Sequence, residues 1–170
     1  MKLIKTYHSD LLNGDGLREV LFFSGCMNKC PGCFNPETWD PDMPAAKEWT
    51  EQDWENLKSE LEKPWITGVT LTGGDPFSIW NRDDILELCK RIKTEIQGKD
   101  IWVYTGYLWE TILKDNDNRK KCLEYIDILC EGPYREAERS PKKLWVGSEN
   151  QRVIDVQKSL ETGEIVLHCD

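Results

Sequence analysis

Short apolar runs of strand formers alternate with helix-like stretches along this chain, and that alternation limits the folds open to it more than any other feature. Arg18–Ser24 (REVLFFS) reads as a buried strand, entered through a turn at Gly14 and Gly16. Ile66–Leu71 (ITGVTL), Ile101–Tyr104 (IWVY) and Ile126–Cys130 (IDILC) repeat the pattern. Between the first two, Thr50-Glu51-Gln52-Asp53 reads as an N-cap with an acidic first turn. It opens a helix to about Glu62 that places Trp54, Leu57 and Leu61 on one face. A longer helix is predicted over Arg82–Ile96, with Ile85, Leu88, Cys89 and Ile92 inward, and shorter ones around Leu108–Leu113 and Lys120–Tyr125. Near the end, Arg152–Val156 and Glu164–His168 alternate like strands about a turn at Thr162-Gly163.

Strands alternating with helices imply parallel βαβ units with right-handed crossovers. A closed eight-stranded barrel takes about 250 residues, and this chain has 170. The expectation is an α/β fold, an open partial (βα) barrel forming a single domain over residues 1–170. In such folds the chemistry gathers on loops at the carboxyl ends of the strands. The loops after Ser24, Leu71 and Tyr104 all belong to that edge.

The net charge of −9 sets aside direct nucleic-acid binding, which calls for a basic face. No run approaches the roughly 18 apolar residues of a membrane span. Met1-Lys2-Leu3-Ile4-Lys5 does not open a secretory signal, so a cytoplasmic location is expected. There are seven cysteines. An odd number in a chain of that location reads as metal ligands or buried thiols rather than disulfides.

Three of them are close together. The stretch Gly25–Pro44 is rich in Gly, Pro, Asn and Cys, and a loop of that length is usually functional. Within it, Cys26, Cys30 and Cys33 have the spacing C-x3-C-x2-C, so three thiolates can wrap one centre. Thiolate favours zinc or iron–sulfur. A zinc site would need a fourth ligand, with His8 or His168 as candidates. An iron–sulfur cluster held by three cysteines would leave one iron open, whereas electron carriers use four. Cys89 and Cys130 lie in apolar patterns and read as core residues, while Cys122 and Cys169 are isolated. A second unusual loop, Thr72-Gly73-Gly74-Asp75-Pro76, follows the next strand. Alone it could be a turn before a helix; glycines also let a backbone approach a ligand closely.

Together the two loops resemble those of the radical S-adenosylmethionine enzymes. The resemblance implies a 4Fe–4S cluster on Cys26, Cys30 and Cys33, with S-adenosylmethionine chelating the open iron. It implies cofactor contacts from Gly32, Cys33, Phe34, Thr72, Gly73, Gly74, Asp75 and Thr105, with no separate acid–base residue. The family often has an aromatic residue just before the third cysteine. Here that residue is Gly32, which leaves backbone contact to the adenine and Phe34 as the nearest ring.

Further stretches are similar to the activating proteins of anaerobic, glycyl-radical ribonucleotide reductases. They are Asn13–Arg18, Phe34–Trp39, Tyr104–Tyr107, Glu131–Tyr134 and Leu144–Asp155, the last containing Gly147-Ser148-Glu149-Asn150-Gln151-Arg152. This likeness implies that the substrate is a glycine in the large subunit of the reductase. It also implies a low-potential electron donor such as a flavodoxin. Other radical enzymes of the same superfamily and a non-catalytic zinc module are the competing readings.

Overall fold

The computed structural model describes residues 1–169. Eight strands form one mixed sheet: β1 (Lys2–Asp10), β2 (Arg18–Phe23), β3 (Lys47–Glu48), β4 (Gly68–Gly73), β5 (Asp100–Thr105), β6 (Ile128–Glu131), β7 (Arg152–Asp155) and β8 (Leu167–Cys169). Their order is β3-β1-β2-β4-β5-β6-β7-β8. The four central strands β2, β4, β5 and β6 are parallel, as the alternation predicts. The flanking strands pair antiparallel.

Register explains the core. Leu21 pairs with Leu71, Leu71 with Val103, Val103 with Leu129 and Leu129 with Ile154. This row faces the helices α1 (Glu51–Leu61), α2 (Arg82–Glu95), α3 (Trp109–Lys114), α4 (Asn118–Cys122) and α5 (Val156–Thr162). All five helices add side chains to this larger apolar cluster, including Trp54, Ile85, Ile112, Cys122 and Val156. Burying each such large side chain contributes roughly 1.5–3 kcal/mol. The other sheet face holds a smaller cluster, Trp102, Ile128, Cys130 and Val153, with no helix residue in it. Helix α1 starts where the sequence predicts, on a capping box. Thr50 Oγ1 accepts from Asp53 N at 3.3 Å, and Asp53 Oδ2 accepts from Thr50 N at 2.8 Å.

Arg18 closes the amino edge of the parallel strands. It is wholly buried, its Nε donates to Thr70 Oγ1 at 2.9 Å, and its guanidinium lies 5.0 Å from the Trp102 ring centroid and pairs with Asp100. The opposite, carboxyl edge is left for the loops.

The structure differs from expectation at both ends of the chain. Strand β1 was not anticipated: its residues are half-buried or exposed, which gives a weak pattern, and pairing with β2 is what holds it. The expected strand Arg152–Val156 ends at Asp155, and Val156–Thr162 is helical. Asp155 accepts from Lys158 N at 3.1 Å as an N-cap, and Gly163 closes the helix at φ 74°. The loop after β2 carries a short 3-10 turn at Pro36–Trp39. No helix among the described residues is long and apolar enough to cross a membrane.

Candidate metal centre

The three loops expected to carry chemistry meet at the carboxyl edge of β2, β4 and β5. Gly74 N donates to Phe23 O at 2.8 Å and Asp75 N to Gly25 O at 2.9 Å, so the glycine loop is bonded directly to the start of the cysteine loop. The far end of that loop returns alongside: Gly25 N donates to Thr38 O at 2.8 Å and Cys26 N to Trp39 O at 3.1 Å. Lys29 and Gly32 take left-handed backbone, φ 45° and 73°, which turns the chain tightly between the cysteines.

Asp75 is the hub. Its Oδ1 accepts from Thr105 Oγ1 (2.8 Å) and Phe77 N (2.8 Å), and its Oδ2 from Asn28 Nδ2 (3.0 Å) and Gly106 N (3.0 Å). Burial pushes this carboxyl up to about 6, against the pull of those donors. One side chain therefore joins the loops after β2, β4 and β5.

Cys26, Cys30 and Cys33 are all free thiols. They line a cavity of about 610 Å³ together with Phe34, Thr72, Gly73, Gly74, Asp75 and Thr105. Of the residues predicted for the site only Gly32 stays off the cavity wall. A Cβ there would meet the mobile end of the Glu136 side chain at 2.9 Å, and it is the left-handed φ of 73° that favours glycine. Phe34 is exposed and lies against Tyr134, ring centroids 5.6 Å apart. Burial and the nearby Asp75 raise the Cys26 thiol. Burial also raises Cys30, with a backbone hydrogen bond from Tyr134 working the other way. Loading a metal here must release protons from both.

The donor set can be tested against the two metals left open by the spacing. A tetrahedral zinc, with Zn–S of about 2.3 Å, draws its sulfurs to within roughly 4 Å of one another. The three thiols are not gathered that way: among the described residues only His8, Glu19 and Glu60 have ligand atoms all within 4.8 Å. Neither proposed fourth zinc ligand is at hand. His8 Nδ1 bonds Glu19 at 2.6 Å and His168 Nε2 bonds Asp15 at 2.7 Å, and neither lines the cavity. Three soft donors spaced around an open cavity fit a larger iron–sulfur group.

Comparison with known proteins agrees. Residues 12–154 match the family model described as a 4Fe-4S single cluster domain. The chain is 40% identical over 153 residues to the anaerobic ribonucleoside-triphosphate reductase-activating protein of Enterobacteria phage T4, covering 90% of this chain and 93% of that one. The chain belongs to this activating-protein family. The proteins of the same name from Vibrio cholerae and Escherichia coli are 37% and 38% identical, over 85% and 86% of this chain and 92% and 94% of their own lengths.

The segment around Asn150 braces the neighbouring loop. Asn150 Nδ2 donates to Pro133 O at 2.8 Å and Gln151 Nε2 to Gly132 O at 2.9 Å. Gln151 Oε1 accepts from Gly147 N at 2.9 Å. These bonds hold the segment that carries Tyr134 against the cavity. Sequence reasoning missed Lys5 and Tyr7, which reach the cavity from the unanticipated β1, and Arg139 and Lys143 from the loop before β7. It also missed Asn28, whose position between two cysteines was the available signal.

Proposed function

We propose that this chain is a radical S-adenosylmethionine enzyme that installs a glycyl radical in an anaerobic ribonucleotide reductase. The observation that carries the reading is the joining, through Asp75, of the cysteine loop, the glycine loop and the loop after β5 around one open cavity. When bound and reduced, a 4Fe–4S cluster with one open iron supplies an electron to S-adenosylmethionine, whose S–C5′ bond breaks to methionine and a 5′-deoxyadenosyl radical that takes a hydrogen atom from a glycine of the reductase.

The chain's own residues bind and orient. Cys26, Cys30 and Cys33 hold the cluster. The N–H groups of Gly74 and Asp75 are spent on Phe23 and Gly25, so the glycine loop offers carbonyl oxygens, which suit the methionyl ammonium. Asp75 and Thr105 hold that loop in shape through their mutual bond. Phe34, on the cavity wall, flanks the adenine, while Gly32 lies off that wall. The fold works as an open partial barrel in a single domain, and its open cavity receives a loop of the reductase large subunit. A low-potential donor such as a flavodoxin reduces the cluster, and the reaction belongs in the cytoplasm.

Anaerobic incubation of the reconstituted protein with the reductase, S-adenosylmethionine and a reductant tests this. The expected outcome is a glycyl radical signal with methionine and 5′-deoxyadenosine as products. Protein purified anaerobically with stoichiometric zinc and no iron or sulfide would overturn the proposal.

A further inference from the structure

Asn28 stands inside the cysteine loop, between Cys26 and Cys30. Its Nδ2 donates to Cys26 Sγ at 3.8 Å and to Asp75 Oδ2 at 3.0 Å. A Cβ on Gly106 would fall 2.2 Å from that same nitrogen, so the amide is seated against the loop after β5. The orientation of the amide follows from its surroundings. Turned over, its oxygen would face the Asp75 carboxylate, acceptor against acceptor.

We propose that Asn28 is a positioning residue for the metal centre: its N–H···S bond, fixed at the other end on Asp75, sets the reduction potential of the cluster and ties it to the glycine loop. This rests on the iron–sulfur reading above. A donor aimed at a cluster thiolate stabilises negative charge on the sulfur. The reduced cluster carries one more negative charge than the oxidised one, so the donor favours reduction and raises the potential. Partial burial strengthens the effect, because the local dielectric is low. Cys26 is the buried cysteine of the three. The backbone N–H groups of Asn28 and Lys29 also point at its sulfur, so the side chain completes a set of donors on one ligand.

The test uses the full chain reconstituted with iron and sulfide, as wild type, Asn28→Ala and Asn28→Asp. Midpoint potentials are read by spectroscopy during a redox titration without S-adenosylmethionine. Iron and sulfide content is measured in parallel. Asn28→Ala should lower the potential at full cluster content. Asn28→Asp keeps the shape, loses the donor and adds negative charge, so it should lower the potential further. Adding S-adenosylmethionine should shift the wild-type potential, and the shift should shrink in Asn28→Ala. An unmoved potential at full iron content overturns the role of Asn28 and leaves the proposed function standing. Loss of iron from both variants would show a structural brace and also overturns it. A wild-type protein that takes up no cluster overturns both readings at once.

Discussion

Thr105 Oγ1 donates to Asp75 Oδ1 at 2.8 Å within the wall of the cavity, and both residues are buried. Two residues that sequence reasoning placed against a cofactor thus use polar atoms on each other. The carboxylate receives donors on both oxygens, so an isosteric amide cannot replace it. Asp75→Asn sets its NH2 group against two donors whichever way it turns. The expected cost is about 1–3 kcal/mol in the cluster-free protein, read from urea denaturation. An unchanged midpoint would show that the network is not under load.

Cys26→Ala, Cys30→Ala and Cys33→Ala should each abolish cluster binding and S-adenosylmethionine cleavage. Cys89→Ala provides the control. Its thiol lies in the core under the helices, pushed up to about 12 by burial, and does not line the cavity. Iron and sulfide analysis after anaerobic reconstitution separates the two groups. Full cleavage activity in any of the first three would remove that cysteine from the ligand set.

Gly74 is held tightly on the side away from the cavity. A Cβ there would sit 2.6 Å from Gly25 O and 2.9 Å from Thr38 O, both backbone atoms. Gly74→Ala should therefore push on the residue before Cys26, and cluster retention should fall along with S-adenosylmethionine affinity. Equilibrium binding and iron content measured on the same preparation decide it. Weakened binding with full iron content would show that the glycine serves the ligand alone.

Arg152 Nε donates to Glu131 Oε1 at 2.5 Å, and its two other nitrogens reach Glu110 at 3.0 and 2.9 Å. Glu131 is wholly buried and also accepts from Trp109 N at 2.9 Å. Removing the arginine strands a buried charge, so Arg152→Met should cost about 3–5 kcal/mol. The double variant with Glu131→Gln should recover part of the loss. Denaturation of the four proteins of the cycle gives the coupling, and additive effects would contradict it.

Asp117 supplies an acid-dependent contribution. Burial alone would raise its carboxyl, but hydrogen bonds from Arg119 and the charges of Arg119 and Arg82 hold it below the usual carboxylate range. A depressed folded value means stability that is present above the unfolded value of about 4 and lost as pH falls through the folded one. Asp117→Asn should make the acid limb of the stability curve shallower below about pH 4 and lower stability near neutrality. Parallel acid limbs in the two proteins would rule out this contribution.

Legibility followed burial and local chemistry. The strand β2 was readable because it is an apolar run buried on both faces, and the helix faces of α1 and α2 because their apolar residues point one way into one core. The cap at Thr50 was readable because it is made within four residues. Strand β1 was not, since its faces are only half covered and its hold comes from β2. Helix α5 carried its own start and stop, Asp155 and Gly163, but alternation in the flanking residues masked them. At the site the cysteines and the glycine loop stood out by composition, whereas Lys5 and Tyr7 joined the cavity only through an edge strand.

By itself the sequence determined that three cysteines share one loop, that the centre of the sheet is parallel, and on which edge three loops would meet. Spacing, periodicity and strand–helix order are local properties of the chain, and they survive without knowledge of contacts. Only the tertiary structure decided what the individual loop residues do. Asp75 and Thr105 line the cavity and also make the bond that holds the loops together, and Gly74 is a close approach between backbones. Asn28, unremarked in the sequence, links Cys26 and Asp75. Those roles depend on groups separated by 47 residues in one case and 30 in another. A hydrogen bond is short and directional, so only the folded chain reveals which of the many possible pairs is made.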